Sequence, residues 1–261
     1  MFRPRVIPVL LLKGEGLYKT VKFKNHNYIG DPINTVKIFN ELNTDEIVIM
    51  DINASKENRL ISLDFVKTVG EEANMPFSVA GGIKTIGEIK SILNAGAEKI
   101  ILNTVAQENP DFIREAANYF GSSTITVAID VKKNIFGRES IYFLNASKKS
   151  KNNFTDFCQL MEKNGAGELI IQSVDHDGTM QGYHLKIYDE MSSKVNIPIT
   201  ALGGASNFEE MHSLYKSTGV TGLAASSIFI YQGVEKGVLI NYPENLSALF
   251  RNDSLNKKVK S

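Results

Sequence analysis

Phe77-Ser-Val-Ala-Gly-Gly-Ile-Lys-Thr-Ile-Gly-Glu-Ile-Lys-Ser-Ile-Leu-Asn-Ala-Gly-Ala-Glu-Lys-Ile-Ile-Leu-Asn-Thr104 reads as one strand–helix–strand unit. The short apolar run Phe77–Ala80 breaks at Gly81-Gly82, a stretch with helical spacing follows from Thr85 to Ala95, and a second apolar run covers Lys99–Asn103. Outward from this unit, similar runs recur at Val6–Leu12, Glu46–Asp51, Ile125–Asp130, Glu168–Ser173, Pro198–Ala201 and Gly222–Ala225, making eight candidate strands. Between them lie helical patterns at Ile33–Leu42, Ser62–Glu72, Pro110–Phe120, Phe154–Lys163, Leu185–Ser193 and Phe208–Tyr215. Alternation of this kind implies parallel strands joined by crossover helices. Eight units in a chain of 261 residues fit a single α/β domain, a closed (β/α)8 TIM barrel, better than an open doubly wound sheet. The barrel is expected over residues 1–251, its eighth helix short or split by Gly233 to Gly237 and Tyr242 to Asn245, with a polar tail over residues 252–261.

Composition narrows the function classes. With 43% hydrophobic and 22% charged residues the chain has a globular composition, and 29 basic against 29 acidic side chains give no net field to gather nucleic acid or a membrane surface. Any anion must be held locally. The N-terminal apolar run ends at Lys13 and is too short for a signal peptide or a membrane span, so a cytoplasmic location is expected. The single Cys158 reads as packing, and four scattered His residues lack metal-ligand spacing, so neither a metal nor a cofactor is expected.

The two halves echo each other. Asp51, Gly82 and Thr104 follow strands two, three and four, and Asp177, Gly204 and Ser226 follow strands six, seven and eight, displaced by 126, 122 and 122 residues. This points to two duplicated half-barrels. In such barrels the functional residues sit at the C-terminal strand ends. There Gly82 with Asn103 and Thr104, and Gly204 with Gly178, Ala225 and Ser226, form two candidate phosphate cradles of bare backbone and hydroxyl donors. Asp51 and Asp177 are candidate ligand-binding carboxylates, though an Asp past a strand commonly caps a helix or ties a loop. Asp130 ends the apolar run Thr126-Val-Ala-Ile-Asp130, where desolvation can raise its pKa into the range of a useful acid–base group. Lys19, on the long segment Lys13 to Ile29, is a candidate catalytic cation on a lid. At the opposite end Arg5, Glu46, Lys99 and Glu168 stand at strand starts, either as solvated ends or as a neutral ring that could act as a gate.

Asp51-Ile-Asn-Ala-Ser55, Gly81-Gly82-Ile83, Val127-Ala-Ile-Asp130, Gly165-Ala-Gly-Glu168, Asp175-His-Asp-Gly-Thr179 and Ala224-Ala-Ser226 together resemble the HisF family, the cyclase subunit of imidazole glycerol phosphate synthase. The resemblance implies an enzyme that binds a bisphosphorylated ribonucleotide at the barrel top, with a HisH-like class I glutaminase at the bottom sending ammonia through the barrel. It places Gly82, Asn103 and Thr104 at one phosphate site and Asp177, Gly178, Gly204, Ala225 and Ser226 at the other. It also places Arg5, Glu46, Lys99 and Glu168 on the ammonia gate and Lys19 on a mobile first loop.

One departure bears on the chemistry. The family uses two aspartates, at the ends of strands one and five, as its acid–base pair; here strand five keeps Asp130 and strand one carries Leu11. Leu neither donates nor accepts a proton, and loss of a positioned acid or base removes about 10²–10⁴-fold in rate. Gln172 stands where the family usually has a small hydroxyl residue. The pattern is similar to a HisF-like branch of surface-glycan pathways, in which the barrel supplies ammonia to a separate sugar amidotransferase. Two alternatives stand beside it: a true cyclase of histidine biosynthesis, and a non-catalytic phosphate-binding scaffold.

Overall fold

Along the first apolar run Ile7, Val9 and Leu11 point one way and Val6, Leu10 and Leu12 the other, as a pleated strand requires. Both faces are apolar because both are covered, which is the mark of a parallel sheet within an α/β layer. The computed structural model describes residues 3–134, 136–232 and 237–250. In it the barrel strands are Arg5–Lys13, Ile47–Asp51, Phe77–Ala80, Lys99–Leu102, Ile125–Lys133, Glu168–Ser173, Ile199–Leu202 and Gly222–Ala225. We refer to them as the first to the eighth barrel strand. Each pairs in parallel with its neighbours in chain order, and the eighth closes on the first with Arg5 opposite Gly222. This is a single (β/α)8 TIM barrel.

The crossover helices begin where the sequence supplies caps. Ser62 accepts the Phe65 N–H ahead of Leu63–Glu72, and Thr85 forms a capping box with Glu88 ahead of Ile86–Asn94. Their apolar stripes, with Phe39, Phe157, Tyr188 and Phe229 fully buried, form the large outer core against the strands. A smaller inner core, including Ile7, Val9, Leu11, Val48, Ile101, Ile170 and Leu202, fills the lumen. The last crossover is split into Ser227–Ile230 and Leu246–Leu249, with an antiparallel pair, Tyr231–Gln232 and Gly237–Val238, between them. The expected tail over residues 252–261 lies outside the described residues. Among the described residues no helix is long and apolar enough to cross a membrane.

One segment differs from the sequence reading, and a second lies where that reading assigned no element. The stretch expected to be a lid loop, Lys13 to Ile29, is an antiparallel hairpin, Gly16–Val21 and Lys24–Gly30, laid back along the first barrel strand with Tyr18 opposite Leu11. Gly14, at φ 59°, makes the reversal. After the fifth barrel strand, Glu139–Phe143 folds back in the same way with Tyr142 opposite Asp130, followed by Lys148–Lys149. Even the rim contacts repeat, with the Lys13 ammonium 5.4 Å from the Tyr18 ring and that of Lys132 5.8 Å from Tyr142. The duplication read from strand ends therefore extends into the first and fifth connections.

Close approach at the eighth strand gives a stability test. A Cβ added to Gly222 would lie 1.8 Å from Oγ1 of Thr200, a fully buried side chain. Gly222→Ala is expected to destabilise the barrel by about 1–3 kcal/mol through overpacking, read as a lower urea midpoint at unchanged slope.

Candidate functional site

At the C-terminal end of the barrel the strand termini enclose two adjoining cavities, one for each half. The first is lined by Gly82, Asn103, Thr104, Asp51 and Asp130; the second by Lys19, Asp177, Gly178, Gly204, Ala225 and Ser226. Leu11 lines both. The sequence-derived cradle residues are thus brought together at one mouth, and the two glycines singled out at the strand ends have a packing reason as well. Gly82, at φ 70°, would place a Cβ 1.8 Å from the Arg59 carbonyl oxygen, and Gly204, at φ 108°, one 2.2 Å from that of Gly182.

Asp130 lies between Asn103 and Gln172. The latter is its register partner on the sixth strand. Burial pushes the Asp130 carboxyl up to about 7, opposed by the hydrogen bond from Asn103 and reinforced by the nearby charge of Asp177. Asp177 is buried, accepts from the Thr20 hydroxyl and the Gln172 amide at 3.2 Å each, and is likewise raised by desolvation against the pull of Lys19. Lys19 is 3% exposed and its Nζ has no hydrogen-bond partner among the described residues. Burial lowers its ammonium to about 7, with Asp177 pulling the other way. An orphaned buried donor costs free energy unless a ligand satisfies it. Here it lines the cavity that the second glycine cradle also lines.

Several candidates are committed elsewhere. Asp51 accepts from the Asn53 and Ala54 backbone and forms an ion pair of 2.5 Å with Arg59, so its carboxylate ties the second connection together. The Ser226 hydroxyl donates to the Val9 carbonyl, leaving backbone as the remaining donor there. His176 lines neither of these cavities; its Nδ1 contacts the Gly182 carbonyl at 2.8 Å and its ring stacks on His184. Cys158 is buried packing, as expected.

At the floor Arg5 reaches Glu46 at 2.5 Å and Glu168 at 2.6 Å, and Lys99 reaches Glu168 at 3.0 Å and Glu46 at 3.5 Å. The four charges form a neutral alternating ring. Burial alone would raise the Glu168 carboxyl, but Arg5 and Lys99 outweigh it and hold the pKa below its usual value. Sequence reasoning missed two supports of this ring: Ser78 donates to Glu46 at 2.8 Å and Thr200 to Glu168 at 2.5 Å. The available signal was a hydroxyl residue inside an apolar strand run. It also missed Thr20 and Phe23, on the segment read as a lid, and Asn145, on a connection it did not interpret; all three line the first cavity.

A closed parallel barrel with a polar mouth at its C-terminal strand ends and a charged floor defines this protein as a two-ended TIM-barrel protein of the kind that works through its βα connections. The family model described as "Histidine biosynthesis protein" matches residues 5–235. A HisF-designated protein of Leptospira borgpetersenii is 44% identical over 244 residues, covering 93% of this chain and 96% of the relative. One designated hisF2 in Pseudomonas aeruginosa is 38% identical over 244 residues, covering 94% and 97%. The imidazole glycerol phosphate synthase subunit HisF of Streptococcus sanguinis is 36% identical over 231 residues, covering 88% and 92%. The chain belongs to the HisF family.

The perturbed carboxyl gives a test of sign. Asp130 is raised in the folded state, so its contribution is most favourable below the unfolded pKa and is lost as pH rises through about 7. Asp130→Asn should therefore gain stability relative to the parent between pH 4 and 7, by up to about 4 kcal/mol at about 1.4 kcal/mol per unit, read from urea unfolding across that range. A parallel pH dependence in both proteins would rule out a buried acid at this position.

Proposed function

We propose that the barrel is a synthase subunit that holds a phosphorylated ligand at its mouth and receives ammonia through its lumen from a HisH-like class I glutaminase at the floor. Leu11 carries the reading. It is buried, belongs to the inner core and lines both cavities, so the position opposite Tyr18 offers no proton to the mouth that Asp130 serves. Of the other carboxylates, Asp51 is paired with Arg59 and Asp177 is held by Thr20 and Gln172 beside Lys19. One free acid–base carboxyl supports ligand handling better than a ring closure that moves protons in both directions.

In this reading Lys19, Gly178, Gly204, Ala225 and Ser226 grip one anionic group and Gly82, Asn103 and Thr104 another. Arg5, Glu46, Lys99 and Glu168 form the gate between the glutaminase and an apolar lumen, which admits neutral ammonia and excludes ammonium. The ammonia then leaves for a separate amidotransferase that makes an amidino sugar in a glycan pathway, the acceptor implied by the resemblance of the sequence to that branch. A second reading, the cyclase of histidine biosynthesis, is favoured by the name of the Streptococcus relative and by Lys19, whose pKa near 7 suits proton transfer.

With a purified glutaminase partner and the histidine-pathway ribonucleotide, the parent is expected to show negligible cyclisation, and Leu11→Asp to raise it by about 10²–10⁴-fold. Robust turnover by the parent, or its complementation of a histidine auxotroph, favours the second reading instead. Lys19→Met is expected to weaken binding of ribose 5-phosphate by about tenfold or more, the value of a charge-assisted hydrogen bond, as measured by calorimetry. Lys99→Ala should uncouple glutamine hydrolysis from product formation; unchanged coupling would remove the gate from the proposal.

A further inference from the structure

The zero net charge conceals a segregation. The first returning segment, residues 13–30, carries Lys13, Lys19, Lys22 and Lys24 against Glu15. The second, residues 131–153, carries Lys132, Lys133, Arg138, Lys148, Lys149 and Lys151 against Glu139. Ten of the 29 basic residues but only two of the 29 acidic ones thus fall in the two segments that turn back at the mouth, an excess of eight positive charges that the rest of the chain balances. At the floor each cation meets two carboxylates; at the rim the pattern is different. Apart from the buried Lys19, none of these cations has a carboxylate within salt-bridge distance among the described residues, and Lys22, Lys24, Lys133, Arg138, Lys149 and Lys151 are exposed. Glu139 is engaged with His184, at 3.7 Å.

Strand register sets how far this charge lies from the site. Lys149 is opposite Tyr142 and Tyr142 is opposite Asp130, so two interstrand steps, about 10 Å, separate its backbone from that of the acid in the first-half cavity. That is about one screening length at an ionic strength of about 0.1 M, close enough for the charge to act on an anion approaching the mouth. Asn145, on the turn between those strands, lines the cavity itself. Arg138, Lys149 and Lys151 share an open groove in which Glu139 is the one acid among the lining residues. Asp175, from the connection after the sixth strand, accepts the Lys133 N–H at 2.8 Å and offsets one of the charges. Two imidazoles register the remainder. Partial burial and then Lys13 and Lys56 hold His26 below its usual pKa, and burial, His176 and Lys133 lower His184 with Glu139 opposing.

We propose that the exposed cations of the two returning hairpins form a collar that draws anionic ligands to the mouth by long-range attraction, the second hairpin supplying most of the charge. A collar of this kind raises the local concentration of an anion and speeds its arrival, while the grip on the bound phosphate stays with the cradles below. The proposal deepens the phosphorylated-ligand part of the preceding reading and rests on that part alone. It requires neither ammonia nor a glutaminase, and it does not depend on either hairpin being held in one position.

Phosphorus NMR line shapes with ribose 5-phosphate give both rates. Lys133→Gln, Lys149→Gln and Lys151→Gln combined should lower the association rate by about three- to tenfold at low salt, the lower end of the steering range, and leave dissociation unchanged. The difference should vanish as salt rises from about 0.01 M to about 1 M, where the screening length falls from about 30 Å to about 3 Å. Lys163→Gln, Lys194→Gln and Lys216→Gln make the same charge change at the floor ends of the helices Phe154–Lys163, Leu185–Ser192 and Phe208–Thr218. That variant should leave both rates unchanged; an equal fall in association would reduce the effect to net charge and overturn the collar. Faster dissociation in the rim variant would make its lysines ligand contacts and overturn it too, as would unchanged rates or a loss that survives high salt. The field can also be read without a phosphorylated ligand, from amide relaxation by a carboxylate-bearing nitroxide and its neutral carboxamide analogue. At low salt the anionic probe should relax residues 130–133 and 139–149 more strongly than the neutral one, and the contrast should shrink in the rim variant; equal relaxation by both probes in the parent refutes the proposal. If ribose 5-phosphate fails to bind while the contrast holds, the phosphorylated-ligand reading fails and the collar stands, drawing anions of another kind.

Discussion

The seam between the fifth and sixth barrel strands is the constraint on which the rest depends. Six register pairs, from Thr126 opposite Glu168 to Val131 opposite Ser173, join the first two strands of the second half. A closed sheet has no edge to slip along, and a one-residue shift at this seam would turn every inward side chain of one partner outward. Closure therefore determines which residues share the lumen. It puts Glu168 at the floor and Asp130 beside Gln172 at the mouth on adjacent strands, four residues of pleat apart on the sixth strand.

Alternation then sorts chemistry by height. Inward positions near the strand starts carry Arg5, Glu46, Lys99 and Glu168, whose burial is tolerable because each charge has opposite neighbours and hydroxyl support from Ser78 and Thr200. Above them Ile7, Val9, Val48, Ile101 and Ile170 leave no group able to hold a proton. At the top Asp130, Asp177 and Lys19 titrate away from their ordinary values because they are desolvated beside a small set of partners. A mouth that keeps a lysine partly neutral and an aspartate partly protonated near pH 7 can exchange protons with little reorganisation, and Leu11 limits how many it can exchange at once.

Most of this was legible because parallel strands buried on both faces read as short apolar runs between helical patterns. Strand positions, the floor charges and the cradle glycines all follow from where polar residues interrupt apolar runs, and helix starts follow from Ser62 and Thr85. The hairpins were harder to see. A reversal normally announces itself by glycine or asparagine, but Leu144 and Ala146 adopt the left-handed region without that signature. Tethers were also hidden: Arg59 is eight residues from Asp51 in sequence, and nothing in their spacing shows that a cation claims that carboxylate. Ser226 was read as an anion donor for the same reason, since its bond to Val9 spans nearly the whole chain.

The duplication sharpens the meaning of Leu11 at the mouth. Leu11 and Asp130 occupy the same place in their halves, each opposite a tyrosine on a returning strand and each two residues before a lysine that sits over that ring. The scaffold at both positions is intact, so the difference is confined to one side chain. An aliphatic group there packs into the inner core without strain, whereas a carboxylate would be buried within reach of the raised Asp130 and Asp177 and would push all three further toward protonation. Leu11 thus makes the mouth easier to fold and leaves its chemistry one-sided, with Asp130 on one flank and the Lys19–Asp177 pair on the other.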